Sequence, residues 1–323
     1  MIGAINHNIG VAIAASAILF GTPLLLAGLG ELLAERSGVL NLGVEGMMLM
    51  GAVTGFWASQ RLGGPEWMVL MIAVLVAAVA GGLMALIHAF VTITLRANQI
   101  VSGLALTIFA GVIGLSSYLG VVAHLGSKPG KHQFNAINVF GLKNAPVVGP
   151  ILFHENALVY ASWALVVMVS LYLYRTRPGL YLRSVGEAPQ SADAMGVGVA
   201  RYRYVHTVVG GMFAGVGGAY FTLVLFSNWT DGLTTGAGFI AIALVIFAFW
   251  RPDLLLIGAY LFGAFQSLGF TLQARGVHLP SEFFSALPYL MTILALVAVS
   301  SGSVRRRLGT PTALGTPYVR EES

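Results

Sequence analysis

The chain has 323 residues, of which 57% are hydrophobic and only 9% are charged, with a formal net charge of +5 and no cysteine. A soluble globular protein carries about 25% charged residues, so this chain lacks the polar surface that water requires and is predicted to lie in a lipid bilayer. The absence of cysteine excludes disulfides, thiolate catalysis and cysteine-ligated metals, and the scattered basic residues form no patch of the kind that binds nucleic acid.

Nine apolar stretches are candidates for helices that cross about 30 Å of hydrocarbon, which takes about 20 residues each. They cover residues 9–30, 38–59, 67–92, 99–120, 157–174, 205–226, 235–250, 253–274 and 283–301. The sequence therefore predicts an all-α, polytopic transmembrane bundle of about nine spans, formed by a single domain over residues 1–323. We expect the first stretch to be a retained span, because no basic residue precedes it.

Two of these stretches are candidates for irregular segments. The second contains Asn41 and Glu45, so it is predicted to be broken near these polar side chains rather than straight. The seventh, residues 235–250, is short, and Arg251-Pro252-Asp253 separates it from the eighth. This spacing favours a tight hairpin between two helices, with a re-entrant half-span as the alternative.

The distribution of basic residues predicts the orientation of the chain. With the N-terminus outside and the C-terminus in the cytoplasm, twelve of the 17 Lys and Arg residues lie in internal segments. Internal segments of membrane proteins carry the excess of Lys and Arg, so the opposite orientation is disfavoured. In this arrangement residues 121–156 form an external loop, and residues 175–204 form the longest internal loop.

The internal loop contains a predicted short helix from Glu187 to Met195, with Pro189 in its first turn and Gly196 as its stop. Small residues and one apolar side chain, Met195, give this helix a face that can dock in a groove of a partner protein. The alternative is a solvated connector with an incidental helical turn, and the residue types alone do not decide between the two.

Three further stretches resemble a known family. Gly30 to Met48, which reads GELLAERSGVLNLGVEGMM, looks like the signature of permeases in the branched-chain amino acid and ribose permease superfamily, and within it the nucleoside-type branch. Pro311 to Tyr318, and Gly238 to Ala243 followed by Arg251-Pro252, resemble the same branch. Ala248-Phe249 departs from it, since relatives tend to have Gly and then a polar or basic residue at this point.

The internal loop extends this resemblance. Its Glu-Ala and Gly residues are similar to the cytoplasmic coupling segment by which permeases of ABC importers dock on their ATPase. The resemblance, together with a second cytoplasmic contact beside Pro252, assigns ATPase coupling to Gly186, Glu187, Ala188, Ala192, Met195, Gly196 and Arg251.

The resemblance also implies a function and a set of partners. The chain would be the permease subunit of an ATP-driven ABC importer in the cell membrane, moving nucleosides inward by alternating access. Its partners would be ABC ATPase subunits, a second related permease in a heterodimer, and an extracytoplasmic solute-binding lipoprotein. The chain itself would be no enzyme and would hold no cofactor, since ATP and Mg bind in the partner ATPase. Sugars and branched-chain amino acids are the alternative cargoes.

Polar and aromatic residues within the spans are the candidates for the solute path, because polar side chains are costly in hydrocarbon. Asn41 and Glu45 are four residues apart and are expected on one helical face, where they either line the path or make an internal hydrogen bond. A nucleoside also needs a flat apolar surface for its base. The candidate set for the substrate path is Asn41, Glu45, Trp57, Gln266 and Phe270.

Other charged and titratable residues are expected to have structural roles. Glu31 and Glu35 are predicted to lie at the cytoplasmic boundary, solvated or paired with Arg36. An ion-coupled secondary transporter, the alternative class of function, needs carboxylates deep in the bundle, and only Glu45 meets that requirement in the sequence. The seven histidines form no metal-binding motif, so no metal site is predicted.

Overall fold

A computed structural model describes residues 9–111, 114–126, 129–234, 236–273, 286, 290, 293 and 309–319. This part of the chain is an all-α bundle, in which strand-like pairing is limited to one bridge between Ala136 and Asn156. Five helical segments of the described residues are long and apolar enough to cross a membrane, namely Gly10–Arg36, Glu66–Thr94, Gln99–Val122, Ala157–Arg175 and Val199–Leu225. The chain is therefore a multi-pass membrane protein, as predicted, while the number of nine spans is not confirmed.

Twelve α-helices are found in the described residues. They are α1 (Ile9–Arg36), α2 (Val44–Arg61), α3 (Glu66–Ala89), α4 (Gln99–Ala110), α5 (Leu115–Val122), α6 (Val148–Leu152), α7 (Ala157–Arg175), α8 (Arg177–Glu187), α9 (Pro189–Ala194), α10 (Val199–Tyr220), α11 (Ala237–Phe247) and α12 (Pro252–Gln273). The predicted ninth span, 283–301, lies outside the described ranges except for three isolated residues.

Several membrane segments are interrupted, and polar residues or glycines mark the interruptions. The chain leaves α1 at Arg36 and becomes helical again only at Val44, so the predicted second span starts with a non-helical stretch that contains Asn41. Helix α11 has 11 residues, which at 1.5 Å per residue span about 16 Å, half of the hydrocarbon core. The half-span alternative for the seventh stretch therefore matches the structure.

Glycines in α10 allow the central helices to approach closely. Helix α10 packs against α1, α2 and α3. A Cβ atom built at Gly211 or Gly215 would lie within 2.6 Å of the α3 carbonyl oxygens of Gly81 or Ala77, and one at Gly218 would lie 1.8 Å from the carbonyl oxygen of Met48. Only glycine fits at such contacts, which are typical of membrane helix interfaces.

The described chain presents two different ends. At one end, segment 129–134 covers the end of α2 and the turn Phe221–Leu225 that follows α10, since Lys131 Nζ donates to the Gln60 carbonyl and the Phe134 amide donates to the Leu223 carbonyl. At the other end, the final residues of α1 meet α8 and the C-terminal segment Gly309–Val319, called here the tail. Helix α9 and the start of α10 pack against α8 at the same end. We call this second end the coupling face.

Candidate functional site

The predicted coupling helix is divided at Ala188. Glu187 is the last residue of α8, and α9 begins at Pro189, so the prediction of one helix from Glu187 to Met195 was wrong at its start. Proline disfavours helical backbone in the residue before it, and Ala188 accordingly has φ −146° and ψ 77°. The helix stops where predicted, since Gly196 has φ +83°, a conformation that favours glycine.

Helix α9 has one buried and one exposed side. Ala192 is buried in a small apolar cluster with Val185 and Val199, which fixes α9 against α8 and α10. Met195, the residue after α9, is 84% exposed. Met195 is therefore an exposed apolar side chain at the end of a helix whose opposite side packs against α8 and α10.

The tail packs directly on the coupling segment. The Ala313 amide donates to the Gly186 carbonyl at 2.9 Å, and the Thr312 hydroxyl donates to Glu187 Oε2 at 2.9 Å. The carbonyl oxygen of Arg36 would lie 2.3 Å from a Cβ at Gly186, so glycine is required there. Gly186 and Glu187 thus join α8, the end of α1 and the tail into one unit.

Arg36 and Arg251 connect the coupling face to the α11–α12 link. Arg36 donates to the carbonyl oxygens of Trp250 and Gly309 at 3.1 to 3.3 Å, so it caps this link and the tail together. Arg251 is exposed and forms a 2.6 Å ion pair with Asp253. Its side chain lines a surface cavity together with Ser170 and Tyr174 of α7.

Glu31 and Glu35 differ from their predicted state. Both are fully buried, and neither forms an ion pair with Arg36. Glu31 Oε1 accepts a hydrogen bond from the backbone N–H of Asn41 at 3.0 Å, and Glu35 Oε2 accepts one from the indole N–H of Trp250. The prediction that they are solvated or paired with Arg36 was wrong, because the tail and the α11–α12 link cover this end of α1.

Asn41 shapes the non-helical stretch between α1 and α2. Its Oδ1 accepts the Gly43 amide at 3.0 Å, and its Nδ2 lies 3.4 Å from Met47 Sδ. Because Asn41 precedes the helix, it does not share a helical face with Glu45, and the spacing argument was wrong in this respect. The side-chain oxygen holds an Asx turn that leads the chain into α2.

Glu45 makes internal hydrogen bonds between α2 and the start of α11. Its carboxylate accepts the Thr234 hydroxyl and the Gly238 amide, both at 2.7 Å, and only 5% of the residue is exposed. A carboxylate at a helix N-terminus satisfies free amides and interacts favourably with the helix dipole. Glu45 was predicted either to line the solute path or to make an internal hydrogen bond, and its contacts in the structure are internal hydrogen bonds.

The remaining path candidates are spread over the bundle. Trp57 is 43% exposed near the end of α2, and Gln266 is partly buried on α12. Phe270 lies in α12, but its side chain is outside the described part of the structure. Trp57 and Gln266 lie on different helices, α2 and α12, and the assignment of these residues to the solute path stays a prediction.

An aromatic cavity of about 540 Å³ opens beside Met195. Tyr202 and His206 stack with their ring centroids 5.7 Å apart, and Tyr181 meets Tyr202 edge to face. Tyr172 donates to or accepts from His206 Nε2 at 2.8 Å. Sequence reasoning missed this cluster, although the spacing of aromatic residues at positions 202 and 206 places them on one face of α10.

Glu155 lies on the opposite end of the molecule, just before α7. Glu155 is only 5% exposed, and burial raises the pKa of its carboxyl group to about 8. Among the described residues, no donor to this carboxylate is found. Sequence reasoning did not single it out, because nothing in a loop sequence reveals that a single glutamate will be covered.

Comparisons with known proteins match the resemblance. The family described as "Branched-chain amino acid transport system / permease component" matches residues 13–296. A Haloferax volcanii protein, provisionally named a glucose ABC transporter permease protein, is 39% identical over 320 residues, covering 93% of this chain and 95% of the relative.

Two bacterial relatives are similar over the same length. The nucleoside ABC transporter permease protein NupC of Lactococcus lactis is 34% identical, covering 96% of this chain and 97% of the relative. The guanosine ABC transporter permease protein NupQ of Bacillus subtilis is also 34% identical, covering 94% of this chain and 95% of the relative. The resemblance to the superfamily and to its nucleoside-type branch is confirmed, and the chain belongs to the permease component family of branched-chain amino acid transport systems.

Proposed function

We propose that this chain is the translocation subunit of an ATP-driven ABC importer and that its cargo is a nucleoside. The proposal for the cargo is supported by the nucleoside and guanosine permeases that are 34% identical over nearly the whole chain. The membrane bundle supports the role of the chain, because its described part offers spans and interrupted helices rather than a soluble catalytic module.

The observation that carries the coupling role is the presentation of Met195. An apolar side chain exposed to 84% at the end of an anchored helix is suited to insert into a groove of a partner protein. We infer that the partner is the ABC ATPase and that Gly186 to Gly196 transmit its closure to α8 and α10. Arg251, exposed on the same face, is proposed as a second contact.

The proposal also includes an orientation in the membrane and further partner proteins. The coupling face would lie in the cytoplasm, with the N-terminus outside, and ATP and Mg would bind in the ATPase. A second related permease would complete the translocation pathway, and an extracytoplasmic lipoprotein would deliver solute to the face covered by residues 129–134. ATPase closure would then alternate the access of the path by re-packing the helices.

Reconstitution tests this proposal. The permease pair and its ATPase are placed in proteoliposomes, the lipoprotein is added outside, and uptake of guanosine, adenosine, uridine, glucose and leucine is compared with and without ATP. We expect ATP-dependent uptake of nucleosides. Uptake of glucose alone would establish the second candidate cargo, which is favoured by the 39% identity to the Haloferax volcanii permease. Uptake that needs an ion gradient and no ATPase would overturn the ABC mechanism.

A further inference from the structure

A second cavity of the coupling face, about 420 Å³ in volume, has a strongly basic lining. It lies between the end of the α3 segment and the start of α10. Arg96, Arg201 and Arg203 line it together with one acidic residue, Asp193, which leaves an excess of two positive charges. The hydroxyl groups of Thr94 and Tyr204 hydrogen-bond to each other in its wall.

The arginines of this cavity are poorly satisfied by the protein. Arg203 is only 2% exposed, and its single protein acceptor among the described residues is the Thr316 carbonyl at 3.1 Å. Its Nε and one terminal nitrogen are buried with no partner there. Arg96 and Arg201 form no ion pair in the described part of the chain. A buried guanidinium group without acceptors is unfavourable, so the buried Arg203, together with the positive charge of the exposed Arg96 and Arg201, favours occupation of the cavity by an anion.

The position of the cavity fixes the depth at which this anion would bind. Thr94 is the last residue of the membrane segment Glu66–Thr94, and Arg96 follows two residues later. Phe90 and Leu95 are more than half exposed on either side of this end. Apolar side chains that face outward beside arginines at a helix end mark the boundary between acyl chains and headgroups.

We propose that the cavity binds the phosphate group of an anionic phospholipid, with its acyl chains against Phe90 and Leu95. Guanidinium groups match phosphate oxygens in geometry and charge, and basic pockets at the end of membrane helices suit lipid headgroups. Arg203 also holds the tail through Thr316. The bound lipid would therefore support the contact between α10, the tail and the coupling segment.

Native mass spectrometry of the purified full-length chain tests the site. Phosphatidylglycerol and phosphatidylcholine are titrated against wild type, Arg96→Gln, Arg201→Gln, and Arg177→Gln as the matched control. Arg177 is exposed on the same face outside the cavity. We expect wild type to prefer phosphatidylglycerol, each cavity variant to bind it about five-fold more weakly, and the control to stay within two-fold of wild type. Arg203→Gln should also bind phosphatidylglycerol more weakly. If this variant does not fold, Arg203→Lys, which keeps the charge but not the guanidinium geometry, should still lose affinity.

Three results would overturn the proposal. Equal binding of both lipids would remove the requirement for an anionic headgroup. Displacement of phosphatidylglycerol by millimolar inorganic phosphate, with no contribution from acyl chains, would make the ligand a soluble phosphate. Unchanged lipid binding combined with loss of the co-purified ATPase in the Arg96 and Arg201 variants would make the cavity part of a protein interface.

Discussion

Two buried acidic regions of the bundle differ in how their oxygen atoms are satisfied. Glu45 receives hydrogen bonds from both the Thr234 hydroxyl and the Gly238 amide. Glu31 and Glu35 lie one helical turn apart, and one oxygen of each, Oε2 of Glu31 and Oε1 of Glu35, is buried without a donor among the described residues. The two glutamates are neighbours, so a proton held by one carboxyl group can bridge to the other.

The carboxylate of Glu45 is therefore needed as a hydrogen-bond acceptor, whereas the Glu31–Glu35 pair is expected to tolerate the loss of one negative charge. Removing Glu45 leaves a hydroxyl group and a helix N-terminal amide unpaired inside the bundle. Removing the charge of Glu31 leaves its amide partner in place and relieves the proximity of two acidic groups. The comparison therefore predicts large effects at Glu45 and small effects at Glu31, and the following variants test it.

The largest effect is expected for Glu45→Ala. Two donors that become buried and unsatisfied cost about 1 to 3 kcal/mol each, so we expect the free energy of unfolding to fall by about 3 kcal/mol. Thermal unfolding of the detergent-purified protein measures this loss. Glu45→Gln, which keeps one acceptor oxygen, should lose less stability but still impair transport or assembly. A fully stable Glu45→Ala protein would contradict the role of this carboxylate as the cap of α11.

The next largest effect is the pH dependence caused by Glu155. Its folded pKa of about 8 lies above the ordinary value of 4.5, so the folded state favours the neutral acid. The stability contribution is present below pH 4.5 and is lost as pH rises through about 8, by ~2 kcal/mol between pH 6 and 8. Thermal unfolding of wild type and Glu155→Gln over this range measures it. Parallel pH curves for the two proteins would exclude Glu155 as the source.

A smaller effect is expected for Glu31→Gln. The amide keeps an oxygen for the Asn41 amide and supplies a donor to Glu35, so the free energy of unfolding should change by less than about 1 kcal/mol. Glu31→Leu, which is similar in size but has no acceptor for Asn41, is the matched comparison and should destabilise the protein more. If Glu31→Gln were as damaging as Glu45→Ala, the contrast between the two acidic regions would be lost.

The smallest effect on stability is expected for Glu187→Ala, because this carboxylate is exposed and its hydrogen bonds within the described part of the chain come from Thr312. We expect little loss of folded protein but a decrease of about two-fold or more in transport-coupled ATP hydrolysis, a change of ~0.4 kcal/mol in coupling. Thr312→Val removes the hydroxyl hydrogen bond to Glu187 from the tail side and keeps the bond from the Thr312 backbone amide. It should reproduce part of the decrease, and the double variant should be no worse than Glu187→Ala alone. An unchanged coupled rate would argue against the coupling assignment.

Composition and hydrophobic length were enough to predict the membrane bundle. The predicted stretch 157–174 matches α7, and the loop at Arg251-Pro252 does join two helices. The predictions failed where the backbone depends on tertiary partners. The spacing of Asn41 and Glu45 fits a helix, yet the stretch before Val44 is non-helical because side chains of Glu31 and Asn41 accept its amides.

The coupling segment was predictable only where its structure depends on neighbouring residues in the sequence. Local rules located Gly196 as the stop of α9 and the exposed Met195 beside it. They could not predict that Glu187 meets the tail, since the Thr312 contact joins residues 125 positions apart. The covered state of Glu35 depends on Trp250, which lies 215 positions away in sequence. Long-range burial of this kind leaves no periodic pattern.

The central claim is that Met195 and its helix contact the ATPase, and co-purification measures this most directly. The permease is co-expressed with its ABC ATPase as wild type, Met195→Asp, Met195→Leu and Leu142→Asp, the last being an exposed apolar residue outside the coupling segment. We predict that only Met195→Asp loses the ATPase, by about ten-fold, because a charge would be buried in an apolar groove. Equal recovery of the ATPase with Met195→Asp and wild type would contradict the account.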